Sequence, residues 1–253
     1  LSTNEQAKAV WPEGYELVVL DEVDSTMAEA ARRAAFVRSP TWILALRQTN
    51  GRGRRGRPWA DPVGNLAATL IFKPAATPAD GAKRSFLAAL ALYEALSFYV
   101  DRTRLGLKWP NDVLLDGRKI AGILLESSGT AERLEWLSLG IGVNLAHTPP
   151  RAPDADFGPV SLAEAIGQTV PQQEFLTVLA DTYATQEDKL RYFGFERIRE
   201  DWLRHAIKLG EVITARLPKE NISGIFETID IEGNLVLLTG RGHVTVTAAD
   251  VYF

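Results

Sequence analysis

Residues 105–144 constrain the fold most, because four strand-length apolar runs follow one another there: LGLKW, DVLL, KIAGILLES and LEWLSLGIGVN. Asp116-Gly117 between the second and third is a hairpin-turn dipeptide, so this stretch predicts sheet. Upstream, residues 26–37 predict a helix, with Thr26 and Glu29 in capping-box spacing ahead of an Ala-rich sequence. TWILAL at 41–46 and NLAATLIF at 65–72 predict strands. A long, mostly apolar helix packed on a sheet is expected over 80–100, with Phe86, Leu90, Tyr93, Leu96 and Val100 along it. Residues 149–159, rich in Pro and Asp, predict an exposed loop, and helices are expected at 161–166, 172–192 and around 196–205. After Gly210 the character changes to short strand patterns, EVITARL, ISGIFETID, NLVLL and HVTVTA. They predict a small β-barrel appended to an α+β domain.

At 253 residues the chain has room for one large domain and a small companion. There is no Cys, which excludes a disulfide framework, a thiolate nucleophile and a cysteine-based zinc site. The three histidines, His147, His205 and His243, are too far apart in sequence for a local two-His metal motif and read as surface or packing residues. No window approaches eighteen apolar residues, and Leu1 to Glu5 lack the basic-then-apolar pattern of a signal peptide, so a cytoplasmic protein is expected. A formal net charge of -4 argues against holding polyanions through an overall field.

The charge that matters is local. Four of the 28 basic residues, Arg52, Arg54, Arg55 and Arg57, crowd into seven positions with Gly51, Gly53 and Gly56. The spacing fits GxGxxG, but a dinucleotide fingerprint needs a helix opening at the third glycine and an acidic residue about twenty positions on. Here Pro58 and Pro62 follow, and no Asp or Glu occurs from Pro62 through Ala79. A P-loop is excluded too, since Gly-Lys-Ser/Thr is absent. Glycines allow close backbone approach to a ligand, while clustered guanidiniums repel one another until an anion arrives. Such a loop is expected to be mobile when empty and to order around phosphate or carboxylate oxygens. A solvated basic turn or a nucleic-acid patch would carry the same composition.

Three further motifs follow in order: Lys108-Trp109-Pro110-Asn111-Asp112, then Lys119-Ile120-Ala121-Gly122-Ile123-Leu124, then Gly140-Ile141-Gly142-Val143-Asn144. Each has a structural reading: turn chemistry, an edge-strand lysine, a bulge. Together with GRGRRGR and Trp59, from about Leu20 to the C-terminus, they resemble the biotin protein ligases. That resemblance implies an α+β fold: a mixed sheet with flanking helices related to class II aminoacyl-tRNA synthetases, over residues 1–208, and an SH3-like barrel over 209–253. It implies joining of biotin and ATP, with Mg²⁺, into biotinyl-5'-AMP, and transfer of the biotinyl group to one lysine of a biotin carboxyl carrier domain. No DNA or membrane partner is implied, and a homodimer is left open.

Carried over by position, Lys119, Arg52 and Asp112 are the expected catalytic residues, with Asp112 as a magnesium ligand. Biotin is expected to meet Ser25, Thr26, Gln48, Gly51, Arg52, Gly53, Lys119, Gly122 and Gly140. The adenylate is expected at Arg54, Arg55, Trp59, Asn111 and Asn144. The chemistry suits these types, because attack of a carboxylate on an α-phosphate brings two anions together and needs cations more than a general base. Three positions depart from the family pattern: Met27 where Asn is common after Asp-Ser-Thr, Asn50 ahead of the loop, and Pro58 in place of a frequent Lys. A lipoate or octanoate ligase of related fold is the nearest alternative, and the complete GRGRRG segment with KWPND and KIAGIL points to biotin instead. A biotin-sensing repressor is the other. Only about twenty residues precede Asp21 to Ser25, fewer than a helix-turn-helix domain of about sixty needs.

Overall fold

The computed structural model describes residues 9–151, 158–217, 220–247 and 249–252. Part of the loop expected at 149–159 therefore lies outside the described residues. The chain order is β1 (Glu16–Val23), α1 (Thr26–Arg33), β2 (Thr41–Gln48), β3 (Leu66–Phe72), α2 (Pro78–Ala82), α3 (Arg84–Leu96), β4 (Leu105–Lys108), β5 (Asp112–Leu115), β6 (Arg118–Gly129), β7 (Leu134–Val143), α4 (Leu162–Ile166) and α5 (Gln172–His205). Five more strands follow: β8 (Val212–Arg216), β9 (Asn221–Ile229), β10 (Leu235–Thr239), β11 (Gly242–Val246) and β12 (Asp250–Tyr252).

Seven strands form a mixed sheet in the order β1-β2-β3-β7-β6-β5-β4. Only β1 and β2 run parallel, joined through α1; every other pair is antiparallel. Side chains alternate across a strand, so each strand divides its residues between two faces. Leu66, Ala68, Leu70 and Phe72 of β3 and Leu137, Leu139, Ile141 and Val143 of β7 face the main core under α3 and α5. Ten residues of α3 are buried because it lies between sheet and α5, which explains an apolar sequence all round. The opposite face carries α1 through Ala30 and, beside it, the glycine-rich middle of β6 and β7.

The second sheet, β11-β10-β9-β8-β12, is five-stranded and antiparallel throughout, consistent with an SH3-like domain. The two sheets share one continuous core, which includes Ile213, Phe226, Leu235 and Leu237.

Several sequence expectations need adjustment. β1 was not foreseen: its pairing is one-sided and its side chains are mostly half-exposed, so ELVVLDEV shows no clean alternation. The helix expected over 80–100 is two helices, α2, which Thr77 caps, and the long α3, which ends at Leu96. α5 joins both helices expected after 172 through Gly194, whose φ of 74° breaks the helical path. The hairpin at Asp116-Gly117 forms as expected, both residues having positive φ, 50° and 71°.

Candidate active site

The exposed face of β6 and β7, the start of α1 and loop 51–59 enclose a cavity of about 650 Å³. Its floor is made of glycine for a steric reason. A Cβ at Gly142 would stand 2.4 to 2.6 Å from indole atoms of Trp59, and one at Gly140 would stand 2.7 Å from the Met27 sulfur. Gly122 has the Trp59 ring at 3.1 Å and the Lys119 ammonium at 3.3 Å from its would-be Cβ. Both β7 glycines sit in regular register with β3 and β6, so they are not a bulge but space for Trp59 and Met27.

Lys119 reaches the cavity through a real irregularity. β5 and β6 slip register between Val113 and Leu114, leaving Ile120 as the extra residue. Ile120 and Ala121 consequently both join the core, and Lys119 returns to the face that holds Gly122. Its Nζ lies 2.6 Å from Oδ1 of Asp112, which stands opposite Gly122 across the ladder. The same ammonium stands 5.5 Å from the Trp59 ring centroid, in cation–π range. β6 lies between β5 and β7, so Lys119 is not an edge-strand charge.

At the other end, Ser25 is the N-cap of α1, and the expected Thr26/Glu29 capping box does not form. Glu29 is taken by Arg32 and Arg33 instead. Gln48 Oε1 accepts from the Thr26 amide at 2.9 Å and from its hydroxyl at 3.3 Å. Thr69 donates its hydroxyl to Thr26 at 2.8 Å. Thr69, fully buried, escaped the sequence reading, although the alternation of Ala67, Thr69 and Ile71 across β3 puts it on the cavity face. Asn144 is buried, donates to Val160 O at 3.0 Å, and leaves its Oδ1 without a hydrogen-bond partner beside the cavity.

Loop 51–59 folds as a narrow hairpin. Trp59 N donates to Gly51 O, Gly53 N donates to Arg57 O, and a 3₁₀ turn at 54–56 uses positive φ at Arg55 and Gly56. The anions that gather its arginines are the chain's own. Arg52 donates twice to Glu126 of β6, at 3.2 and 2.8 Å. Arg54 donates to Asn111 Oδ1 at 3.3 Å and to Ala249 O, and burial pulls its pKa below the usual arginine value. Arg55 and Arg57 both meet Asp250.

Of the residues expected from sequence, Ser25, Thr26, Gln48, Arg52, Gly53, Arg54, Trp59, Asn111, Asp112, Lys119, Gly122, Gly140 and Asn144 all border the cavity. Gly51 does not border it; its would-be Cβ would collide with Gln48 Nε2 at 2.5 Å, so it lets the loop pass that side chain. Arg55 does not border it either. Met27, named above as a departure, and Arg57 of the cluster also border the cavity; Glu126 and Asp250, which the sequence did not connect with the loop, pair with its arginines. The histidines lie elsewhere, with His205 stacked on Tyr93 at 4.0 Å and His243 beside Glu227.

The sequence pattern of the Biotin/lipoate A/B protein ligase family matches residues 19–144, and that of the Biotin protein ligase C terminal domain matches 208–253. A biotin–[acetyl-CoA-carboxylase] ligase of Paracoccus denitrificans is 45% identical over 239 residues, 93% of this chain and 99% of that protein. This chain belongs to the biotin protein ligase family. The bifunctional ligase/repressor BirA of Bacillus subtilis is 29% identical, over 94% of this ligase and 74% of BirA. Among solved structures, the biotin protein ligase from Aquifex aeolicus in complex with biotin and ATP superposes with a TM-score of 0.76 at 25% identity, covering 93% of this ligase and 97% of that chain. The Leishmania major ligase with biotinyl-5-AMP shares the fold, with a TM-score of 0.64 at 23% identity, over 94% of this ligase and all of that chain.

Proposed function

We propose that the cavity between loop 51–59 and the glycine floor is where this ligase activates biotin with ATP and from which it passes the biotinyl group to a lysine of a biotin carboxyl carrier domain. The observation that carries the reading is the convergence of the arginine loop, Lys119 with Asp112, and Gly140 to Asn144 on one cavity in a chain of this family.

In the first half-reaction a carboxylate oxygen of biotin attacks the α-phosphorus and pyrophosphate leaves. In the second, the carrier amine attacks the acyl carbon of the mixed anhydride and AMP leaves. Lys119 and Arg52 neutralise the two anions as they approach, and a preorganised ammonium in a partly enclosed site needs no solvent rearrangement to do so. Asp112 pairs with Lys119 at 2.6 Å and keeps it aimed. Ser25 and Thr26 at the start of α1 and Gln48 at the end of β2 offer donors and acceptors for a cyclic urea, and Gly53, Gly122 and Gly140 border the same cavity. Asn144, Arg54 and Asn111, all at the cavity wall, flank the nucleotide. Trp59 closes over Gly122 and Gly142 and keeps water from the anhydride.

A magnesium ion fits this site as a passenger of the triphosphate. Asp112 is a single carboxylate already paired with Lys119, and the described residues hold no cluster of three metal ligands. An ion that keeps several waters and binds through one carboxylate plus phosphates suits that donor set. When bound it offsets phosphate charge. The catalytic part extends to about residue 208, with the SH3-like part from 209. We place the ligase in the cytoplasm, where ATP and carboxylases meet; no described helix is long and apolar enough to cross a membrane. Arg52 and Arg54 serve the adenylate rather than a duplex: both border the cavity, and the loop's arginines turn to Glu126, Asn111 and Asp250.

Biotin-dependent exchange of labelled pyrophosphate into ATP tests the reading. Exchange should require biotin, ATP and Mg²⁺. Equal exchange with lipoate, or none with biotin at saturation, would overturn it.

A further inference from the structure

Clustered guanidiniums are unstable neighbours unless carboxylates stand between them. Two of the four in this loop, Arg55 and Arg57, are served by the C-terminal sheet. Asp250 opens β12, a three-residue edge strand paired only with β8. Its Oδ2 accepts from Arg55 at 2.7 Å and from Arg57 at 2.6 Å, and only 17% of its side chain is exposed. These arginines hold Asp250 below its usual carboxylate pKa, against the opposing effect of burial. One residue earlier, Ala249 O accepts from Arg54. Two adjacent residues, Ala249 just before β12 and Asp250 at its start, thus engage three of the loop's four arginines, and Asp250 itself borders the cavity.

Arg55 is the informative member. It stands outside the cavity wall, and at its positive φ of 57° the backbone turns the side chain away from the floor toward β12. We propose that Asp250 is a positioning residue: it acts through Arg55 and Arg57 to hold loop 51–59 down over the cavity before any ligand binds, so that the C-terminal sheet sets how long the adenylate is retained. Arg55 is accordingly half of a clasp and not an adenylate ligand. The proposal rests on the ligase reading for what is retained, but not for the clasp itself.

The full chain, with D250N, D250E, R55A and the R55A/D250N double variant, tests it through two measurements. The first is trypsin cleavage after Arg52 or Arg54 without ligands. The second is the rate at which preformed biotinyl-5'-AMP leaves the protein. With D250N both rates should rise about tenfold, the order expected for loss of a partly buried charge-assisted pair. Pyrophosphate exchange at saturating biotin and ATP should stay within about twofold, because chemistry still occurs each time the loop closes. D250E should restore most of the protection. R55A should give part of the effect, and the double variant should be no worse than D250N, since both changes break one clasp. Unchanged cleavage and unchanged release in a D250N chain of normal melting temperature would overturn the proposal, as would effects of R55A and D250N that multiply. If D250N folds poorly, D250E and R55A decide by the same two rates. A chain that makes no biotinyl-5'-AMP yet shows faster cleavage in D250N would keep the clasp and refute the ligase reading.

Discussion

Lys119 shows how a single side chain acquires a role from its backbone. In a regular strand without the bulge at Ile120, residues 119 and 122, three positions apart, would lie on opposite faces of β6, and the ammonium would be driven into the core. Replacing Lys119 by Ala should lower the adenylation rate by ~10²- to 10³-fold, the range for one preorganised electrostatic group, with a smaller change in biotin affinity. Single-turnover formation of biotinyl-5'-AMP measures the first and calorimetry the second; near wild-type adenylation would assign Lys119 to pairing with Asp112 alone. Asp61, just beyond the loop, offers a different kind of test. Its Oδ1 is buried without a hydrogen-bond partner, and burial pushes its pKa from the ordinary 3.8 up to about 7. At pH 3 the carboxyl is protonated folded or unfolded and costs nothing. As pH rises from 4 to 7 the unfolded chain releases the proton while the folded chain retains it, so stability falls, and above pH 7 the loss levels off. Asp61→Asn should therefore leave stability unchanged at pH 3 and raise it by at most about 4 kcal/mol at pH 8. Urea denaturation at the two pH values checks it; equal effects at both would show that Asp61 is solvated.

At the scale of elements, the loop and the glycine floor are one device. Adding a methyl at Gly142 meets the rigid indole of Trp59, whereas at Gly140 it meets the Cγ and sulfur of Met27, an unbranched chain that can turn aside. G142A should weaken biotin binding by about 10- to 100-fold, the equivalent of 1–3 kcal/mol of overpacking, and G140A by clearly less. Titration calorimetry with biotin separates them, and a larger loss in G140A would mean that Met27 is the stiffer wall. This pairing also marks where the sequence was legible. KWPND, KIAGIL and GIGVN stood in the right order because each is local: a turn, a strand start, a strand end. Gln48 and Thr26 were also found, but what joins them, and Thr69 behind them, depends on β2 and β3 lying next to each other. The arginine loop was expected to be mobile until an anion arrived. Glu126 lies 74 residues away from Arg52, and Asp250 195 residues away from Arg55, so the carboxylates that pair with its arginines had no local signal. β1 stayed hidden for a related reason, since a half-exposed edge strand carries little hydrophobic pattern.

Across the whole molecule, the C-terminal domain pattern that matches from residue 208 marks a sharper change in the sequence than in the core. Trp109, in the turn between β4 and β5, donates its Nε1 to Gly233 O of the C-terminal sheet at 3.2 Å. Gly233 itself lies so close to Phe86 of α3 that a Cβ would stand 2.8 Å from the ring. Arg199 of α5 donates to Ile229 O at 2.8 Å, and Ile207, on the connection between the two parts, donates its amide to Leu107 O at 2.9 Å. With the apolar core unbroken from Leu70 through Phe86 and Trp202 to Phe226 and Leu237, neither part can open without exposing surface that belongs to both. The ligase should therefore unfold in one cooperative step. Far-UV dichroism, which follows both sheets, and tryptophan fluorescence should give coincident melting curves; all six tryptophans lie ahead of residue 203. Leu237→Ala, a cavity placed in the C-terminal sheet, should cost about 2–5 kcal/mol and lower that single transition as a whole. Two resolved steps, with dichroism lost before tryptophan emission changes, would show that the C-terminal sheet melts alone, and Asp250 would then be holding the loop from a domain that is itself free to leave.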